Sequence, residues 1–307
     1  MSDDTTRAHD GIEPGAPDDG SAASPGTRAP VGADDLTWSK GHRIAFRVFS
    51  ALMALFVLAY FVFGLLEVVL MWLPDDVVAG LPGGGDGGDY PGGLLIHRSH
   101  FMVIGLVAWA AVPPILVQLR RPWRRVAPML QAVVVAIAGA VVFGLAGTFT
   151  AWVSEDLIVT IPILVLAALH PRMRDFFRRP TFDRDLVVLA AVAAVPWAVY
   201  AFANARLQFL DAAGDPHAGV EHWATAALLG VVMIACALLG ASDHDGWRLP
   251  AWTAGLASIL FGAHSLVFPG SASGLSTIWA IAAVAWGVVF LVTVVRRGRA
   301  GAPAVGS

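Results

Sequence analysis

Nine histidines offer most of the chemistry in this 307-residue chain. His97 and His100 stand where a glycine-rich stretch runs into an apolar one, YPGGLLIHRSHFMVIGLVAWAAVPPILVQLRRPWRR, from Tyr90 to Arg125. On a helix, residues i and i+3 share a face. His222 opens another apolar run, and His264 lies about one turn from the end of a third. Imidazole is the commonest metal ligand, and two or three converging rings suit zinc, copper or a haem iron. His97, His100, His222 and His264 are therefore the expected metal ligands, with His100 and His222 the expected cofactor ligands. Asp156, Asp215 and Glu221 are placed to complete such a site or to hold a ring by its second nitrogen. His217 falls at the same end of the topology derived below. The pattern contains no HExxH and no CxxC, and interfacial histidines also cap helices and meet headgroups.

Glu67 is the sharpest single residue. It sits inside F-G-L-L-E-V-V-L, Phe63 to Leu70, where a carboxylate costs at least about 3 kcal/mol unless paired or protonated. Arg98 is expected at similar depth, so a Glu67–Arg98 ion pair is one expectation. A proton-accepting or cation-binding group in a transport path is the other. The single cysteine, Cys236, excludes an internal disulfide and a thiolate metal cluster.

Positioning these residues falls to helices in lipid. Hydrophobic residues make up 57% of the chain and charged ones 14%, against about 25% charged in soluble domains. One core cannot hide that much apolar surface, so lipid must cover much of it. Residues 1–40 and 298–307 read as disordered cytoplasmic tails flanking a transmembrane bundle over 41–297; the first lacks the basic start and apolar core of a secretory signal. The net charge of −3 gives no reason to expect a nucleic-acid partner; the bilayer is the partner, and no protein partner is indicated.

Eight apolar segments follow, each near the ~20 residues that cross the hydrocarbon. They run about Phe46 to Trp72, Leu94 to Leu119, Val126 to Phe149, Leu157 to His170, Leu186 to Asn204, Glu221 to Ala241, Pro250 to Phe268 and Leu275 to Val295. With the N-terminus inside, all of the 20 Lys and Arg except Arg98 and Arg206 fall on the cytoplasmic side, as the positive-inside rule requires. The expected fold is an all-α membrane protein of eight transmembrane helices in the plasma membrane, with both termini cytoplasmic. The histidines of the candidate site gather on the outer side. A parallel four-plus-four repeat is also expected: H-F-M-V-I-G from His100 answers H-W-A-T-A-A from His222, and Val141 to Gly147 answers Ile259 to Ser265. Small-residue runs at Ala136 to Ala140 and Gly255 to Ser258 predict close helix approach. Trp72, Trp152, Trp223, Trp247 and Trp252 read as belt aromatics. Pro113, Pro114, Pro162 and Pro196 predict kinks or breaks. The loop Gly80 to Gly93 lacks the lysine of a phosphate-binding loop.

DPHAGVEHW (Asp215 to Trp223), GWRLPAW (Gly246 to Trp252) and WAIAAVAWG (Trp279 to Gly287) together resemble uncharacterised multi-pass membrane proteins of GC-rich actinobacteria, which implies the layout and no activity. The layout is also similar to that of haem A synthase, with eight spans in two halves and outer haem histidines on even-numbered spans. That resemblance implies His100 and His222 as haem ligands on spans two and six. Spans four and eight lack the matching histidines, and His264 is on span seven. The functions expected are metal or haem binding at the outer histidines, a small-solute or ion permease using Glu67, or a membrane scaffold without chemistry.

Overall fold

The computed structural model describes residues 39–80, 97–145, 156–210, 216–219 and 221–300. Most of the two expected tails, most of the glycine-rich loop, Trp152 and Asp215 lie outside them. Helix α1 is Lys40–Leu70, followed by the short α2, Asp75–Ala79; α3 is Arg98–Leu116, α4 Val126–Leu145 and α5 Asp156–Ala168. Then come α6, Arg184–Leu210, the short α7, Pro216–Gly219, α8, His222–Ala241, α9, Arg248–Val267, and α10, Thr277–Ala300. No strand forms among the described residues; Phe182 and Ser242 make an isolated bridge.

Six of these helices, α1, α3, α4, α6, α8 and α10, are long and apolar enough to cross a membrane. Helix α5 is apolar but shorter, and α9 is long enough but less apolar. The helices differ in depth. About two-thirds (67%) of the most apolar stretch is buried in α3 and in α8, against 28% in α1 and α6 and 22% in α10. Exposed Leu55, Phe63, Val195, Phe202 and Ile278 line the outer helices, as an apolar solvent allows. The two inner helices are the ones that begin with histidines.

Their packing follows from small residues and from one side-chain repair. A Cβ on Gly105 of α3 would lie 2.6 Å from Val68 Cγ2 and 2.7 Å from the Gly64 carbonyl of α1, so only glycine permits that approach. Gly255 lies against the Leu291 side chain of α10, whereas a Cβ on Gly139 of the Ala136–Ala140 run would make only an ordinary 3.7 Å contact with Leu228 of α8. Pro113 and Pro114 do not break α3. Pro114 has no N–H for the carbonyl of Ala110, and Gln131 Nε2 of α4 donates to that carbonyl at 2.8 Å. The repair answers the cost of a proline inside a helix.

At the end opposite the inner histidines, arginines bind the loops together. Arg172 pairs with Asp175 and Asp245 and donates to the Trp123 carbonyl. Arg178 holds Asp243 through both carboxylate oxygens, at 2.8 and 3.0 Å. Arg297 donates to the carbonyls of Gly240 and Ser242 and lies 3.9 Å over the Trp247 ring. Such partly exposed pairs contribute little each, about 0–1 kcal/mol, so their effect is on loop geometry.

His170 follows α5 at this end and is buried. Its Nδ1 accepts from the Arg172 amide at 3.1 Å, which fixes the tautomer, so Nε2–H donates to the Pro122 carbonyl at 3.1 Å. Burial pulls its pKa from 6.5 down to about 3; the Pro122 carbonyl opposes this and Arg172 adds to it. A neutral folded imidazole that protonates when unfolded makes stability fall as pH drops from about 6.5 toward 3. The thermal midpoint should therefore decline below pH 6.5. This one group should contribute a loss of about 2 kcal/mol between pH 7 and pH 5. His170→Asn should flatten that slope in a pH series of melting curves.

Candidate metal centre

Helices α3 and α8 start at the same end of the bundle. Side chains in the first turn of a helix lean back toward its N-terminus, so the first residues of both helices project into shared space. His97 is the N-cap of α3 and its carbonyl accepts from the Phe101 amide. His100 follows in the first turn, and His222 opens α8 after Glu221, whose backbone is left-handed at φ 58.

The three rings converge. One ligand nitrogen from each of His97, His100 and His222 lies within 4.8 Å of the others. Centroids are 4.6 Å apart for His100 and His222, 5.0 Å for His97 and His222, and 6.0 Å for His97 and His100. Their exposures are 0, 1 and 3% for His97, His100 and His222. His97 Nδ1 and His222 Nδ1 are 3.1 Å apart. Two ring nitrogens at that distance share either one proton or one metal ion. Nitrogens bound tetrahedrally at ~2.1 Å would lie about 3.4 Å apart, so the spacing is near that of a coordinated pair.

His100 is oriented from outside its helix. Ser273 Oγ lies 2.6 Å from His100 Nδ1, and the Ser273 carbonyl accepts from Tyr200 O–H at 2.9 Å. Ser273 is itself left-handed at φ 62. Both backbone neighbours of the centre, Glu221 and Ser273, thus hold a conformation costly for non-glycine residues. Trp223 stands edge-on to His100 at 4.9 Å, and Phe101 edge-on to His222 at 5.8 Å. The arrangement suits one ion held by neutral imidazole ligands. It does not suit a porphyrin between His100 and His222, because their rings stack at 28° and 4.6 Å. Axial ligation needs them on opposite sides of an iron.

The remaining expected residues go elsewhere. His264 does not join the three; its ring meets Trp72 at 5.5 Å and Phe268 at 4.9 Å. The other three expected ligands, His97, His100 and His222, make up the group. The Glu67–Arg98 pair does not form. Arg98, 2% exposed, reaches Asp75 Oδ1 at 2.9 Å and the Leu73 carbonyl at 3.2 Å, with its guanidinium 4.1 Å from the Phe268 ring centroid. Asp75 is largely exposed, so the arginine extends to the rim as long cationic side chains do. Glu67 Oε2 is buried and has no hydrogen-bond partner among the described residues. No carboxylate or thiolate belongs to the histidine group among the described residues. Trp223 packs on the centre rather than standing in a belt. Sequence reasoning missed Ser273, Tyr200 and Asp75, since a serine in a loop or an aspartate after a span carries no distinguishing pattern.

No protein-family model matches the chain, and no curated protein or solved structure shows significant similarity to it.

Ser273→Ala keeps the left-handed backbone cost and removes the hydroxyl from His100 Nδ1. It should lower stability by about 1–3 kcal/mol. Ser273→Gly loses the same hydroxyl but relieves the backbone, so it should recover about 1 kcal/mol of that loss. Thermal melts of the two variants side by side measure the difference.

Proposed function

We propose that this chain is an integral plasma-membrane protein that holds one transition-metal ion, zinc or copper, at His97, His100 and His222. The observation that carries the reading is the convergence of three buried ligand nitrogens within 4.8 Å. Ser273 occupies His100 Nδ1, which assigns metal ligation to Nε2; a hydrogen bond to the second nitrogen is the usual support of a ligating imidazole. A bound ion would act there as a Lewis acid or as an electron carrier, according to the metal. The residues themselves supply three neutral donors, orientation and a buried apolar surround.

Metal-free protein titrated with zinc, copper and cobalt should bind one ion per chain, with a tetrahedral cobalt absorption band. His100→Ala and His222→Ala should each weaken binding at least 100-fold, while His264→Ala should leave it unchanged. Protein that ignores all three metals, or that depends equally on His264, overturns the reading. Added haemin should produce no Soret shift.

The same proposal includes eight crossings with both termini cytosolic. Its support is the sorting of charge: the arginine-bound loops lie at one end, and the helices run alternately between that end and the histidine end. The parallel repeat is supported by α3 and α8, the second and sixth spans, which are the two most buried helices and begin on histidines at the same end. Reporter tags at Ser2 and Ser307 should both read out from the cytosol. Tags reading from opposite faces would overturn the topology.

A further inference from the structure

A cavity of about 260 Å³ lies between α1, α3, α4, α5 and α8. On α3 it is lined by Ile104, Val107 and Ala111, all within about 40° of His100 around the helix axis and starting one turn deeper. Most of its wall is apolar. Its polar residues are Thr160, Glu221 and Thr225, each near the histidine-end start of its helix, apart from the Tyr60 hydroxyl. Glu67 is not among the lining residues.

The hydrogen-bonding state of the polar groups selects the ligand. Thr225 Oγ1 donates its proton to the Glu221 carbonyl at 3.0 Å. Thr160 Oγ1 donates its proton to the Ala136 carbonyl at 3.3 Å. A hydroxyl has one proton to give and two lone pairs to receive, so each threonine now offers the cavity only acceptors. Glu221 lines the same space, and carboxylate oxygens accept hydrogen bonds. A few converging polar groups in an apolar pocket fix orientation and specificity. Here three of them ask for the same thing, a hydrogen-bond donor, and one of them favours a cation.

We propose that this cavity is a binding site for a single-chain amphiphile with a primary ammonium head and a hydrocarbon tail. The head lies among Glu221, Thr225 and Thr160, and the tail runs along Ile104, Val107 and Ala111 toward the middle of the bundle. At about 30 Å³ per water-sized group, the space takes a chain of roughly eight to ten carbons. An anionic or acceptor-only head is refused because it would face carboxylate and lone pairs. The site does not depend on a metal at the histidines.

The test uses the full chain in phosphatidylcholine nanodiscs, with thermal midpoint and equilibrium titration as readouts. Decylamine should bind and raise the midpoint. Decyltrimethylammonium, which has the charge but no N–H, and decanoate, which has an acceptor head, should not. Glu221→Gln and Thr225→Val should each weaken decylamine about tenfold or more. Gly139→Leu, at a position where an added Cβ makes only an ordinary 3.7 Å contact with Leu228, should fill the space and abolish binding. Equal shifts from all three amphiphiles, or unchanged decylamine affinity in Glu221→Gln and Thr225→Val, overturns the site. Zinc binding measured on the same preparation separates this failure from failure of the metal centre.

Discussion

Three imidazoles lie within 6.0 Å of one another, centroid to centroid, inside an apolar helical bundle. That closeness is tolerable only while the rings stay neutral or share one cation, because unpaired charge in such a medium costs several kcal/mol. Two nearby features respect the constraint. Arg98 is drawn away to Asp75 at the rim, and no carboxylate joins the cluster among the described residues. The burden of orienting the rings passes to uncharged groups: a serine hydroxyl, a tyrosine hydroxyl behind it, and the edges of Trp223 and Phe101.

The site also explains which helices are inside. Helices α3 and α8 carry the histidines at their first turns, and they are the two most enclosed by protein. A polar first turn facing lipid would leave backbone N–H groups and imidazoles unsatisfied. Surrounding these helices with α1, α4, α6 and α9 hides both problems at once. Close approach is secured by glycine where backbones nearly touch, as at Gly105 and at Gly230, whose Cβ would fall 2.7 Å from the Trp197 carbonyl.

Much of this was legible in the sequence, for a physical reason. Hydropathy and the placement of arginine report which segments are helical and apolar, and the structure has a helix in each of the eight expected segments. His100 and His222 were legible because each opens an apolar run at the same end. Glycine and small-residue spacing was half legible: Gly255 does mark a close approach, while Gly139 marks a void. The rotation of a helix about its own axis was not legible, because lipid-facing and protein-facing surfaces are both apolar. That is why His264 was expected in the cluster and is turned instead toward Trp72 and Phe268. Ser273 was beyond reach for another reason, since a loop's contact 173 residues away in sequence from His100 leaves no periodic trace. The exchange of Glu67 for Asp75 as the partner of Arg98 reflects side-chain reach, which depth along a helix does not encode.

The donor that Gln131 lends to the Ala110 carbonyl has a mechanical meaning. Prolines in membrane helices commonly serve as joints, because the missing hydrogen bond lets the two halves swing. Here the vacancy left by Pro114 is splinted from the neighbouring helix, and α3 is continuous through Pro113 and Pro114. The segment bearing His97 and His100 is thus tied at its proline turn to α4. A substitution of Gln131 would therefore be felt at the proline turn of the helix that carries His97 and His100.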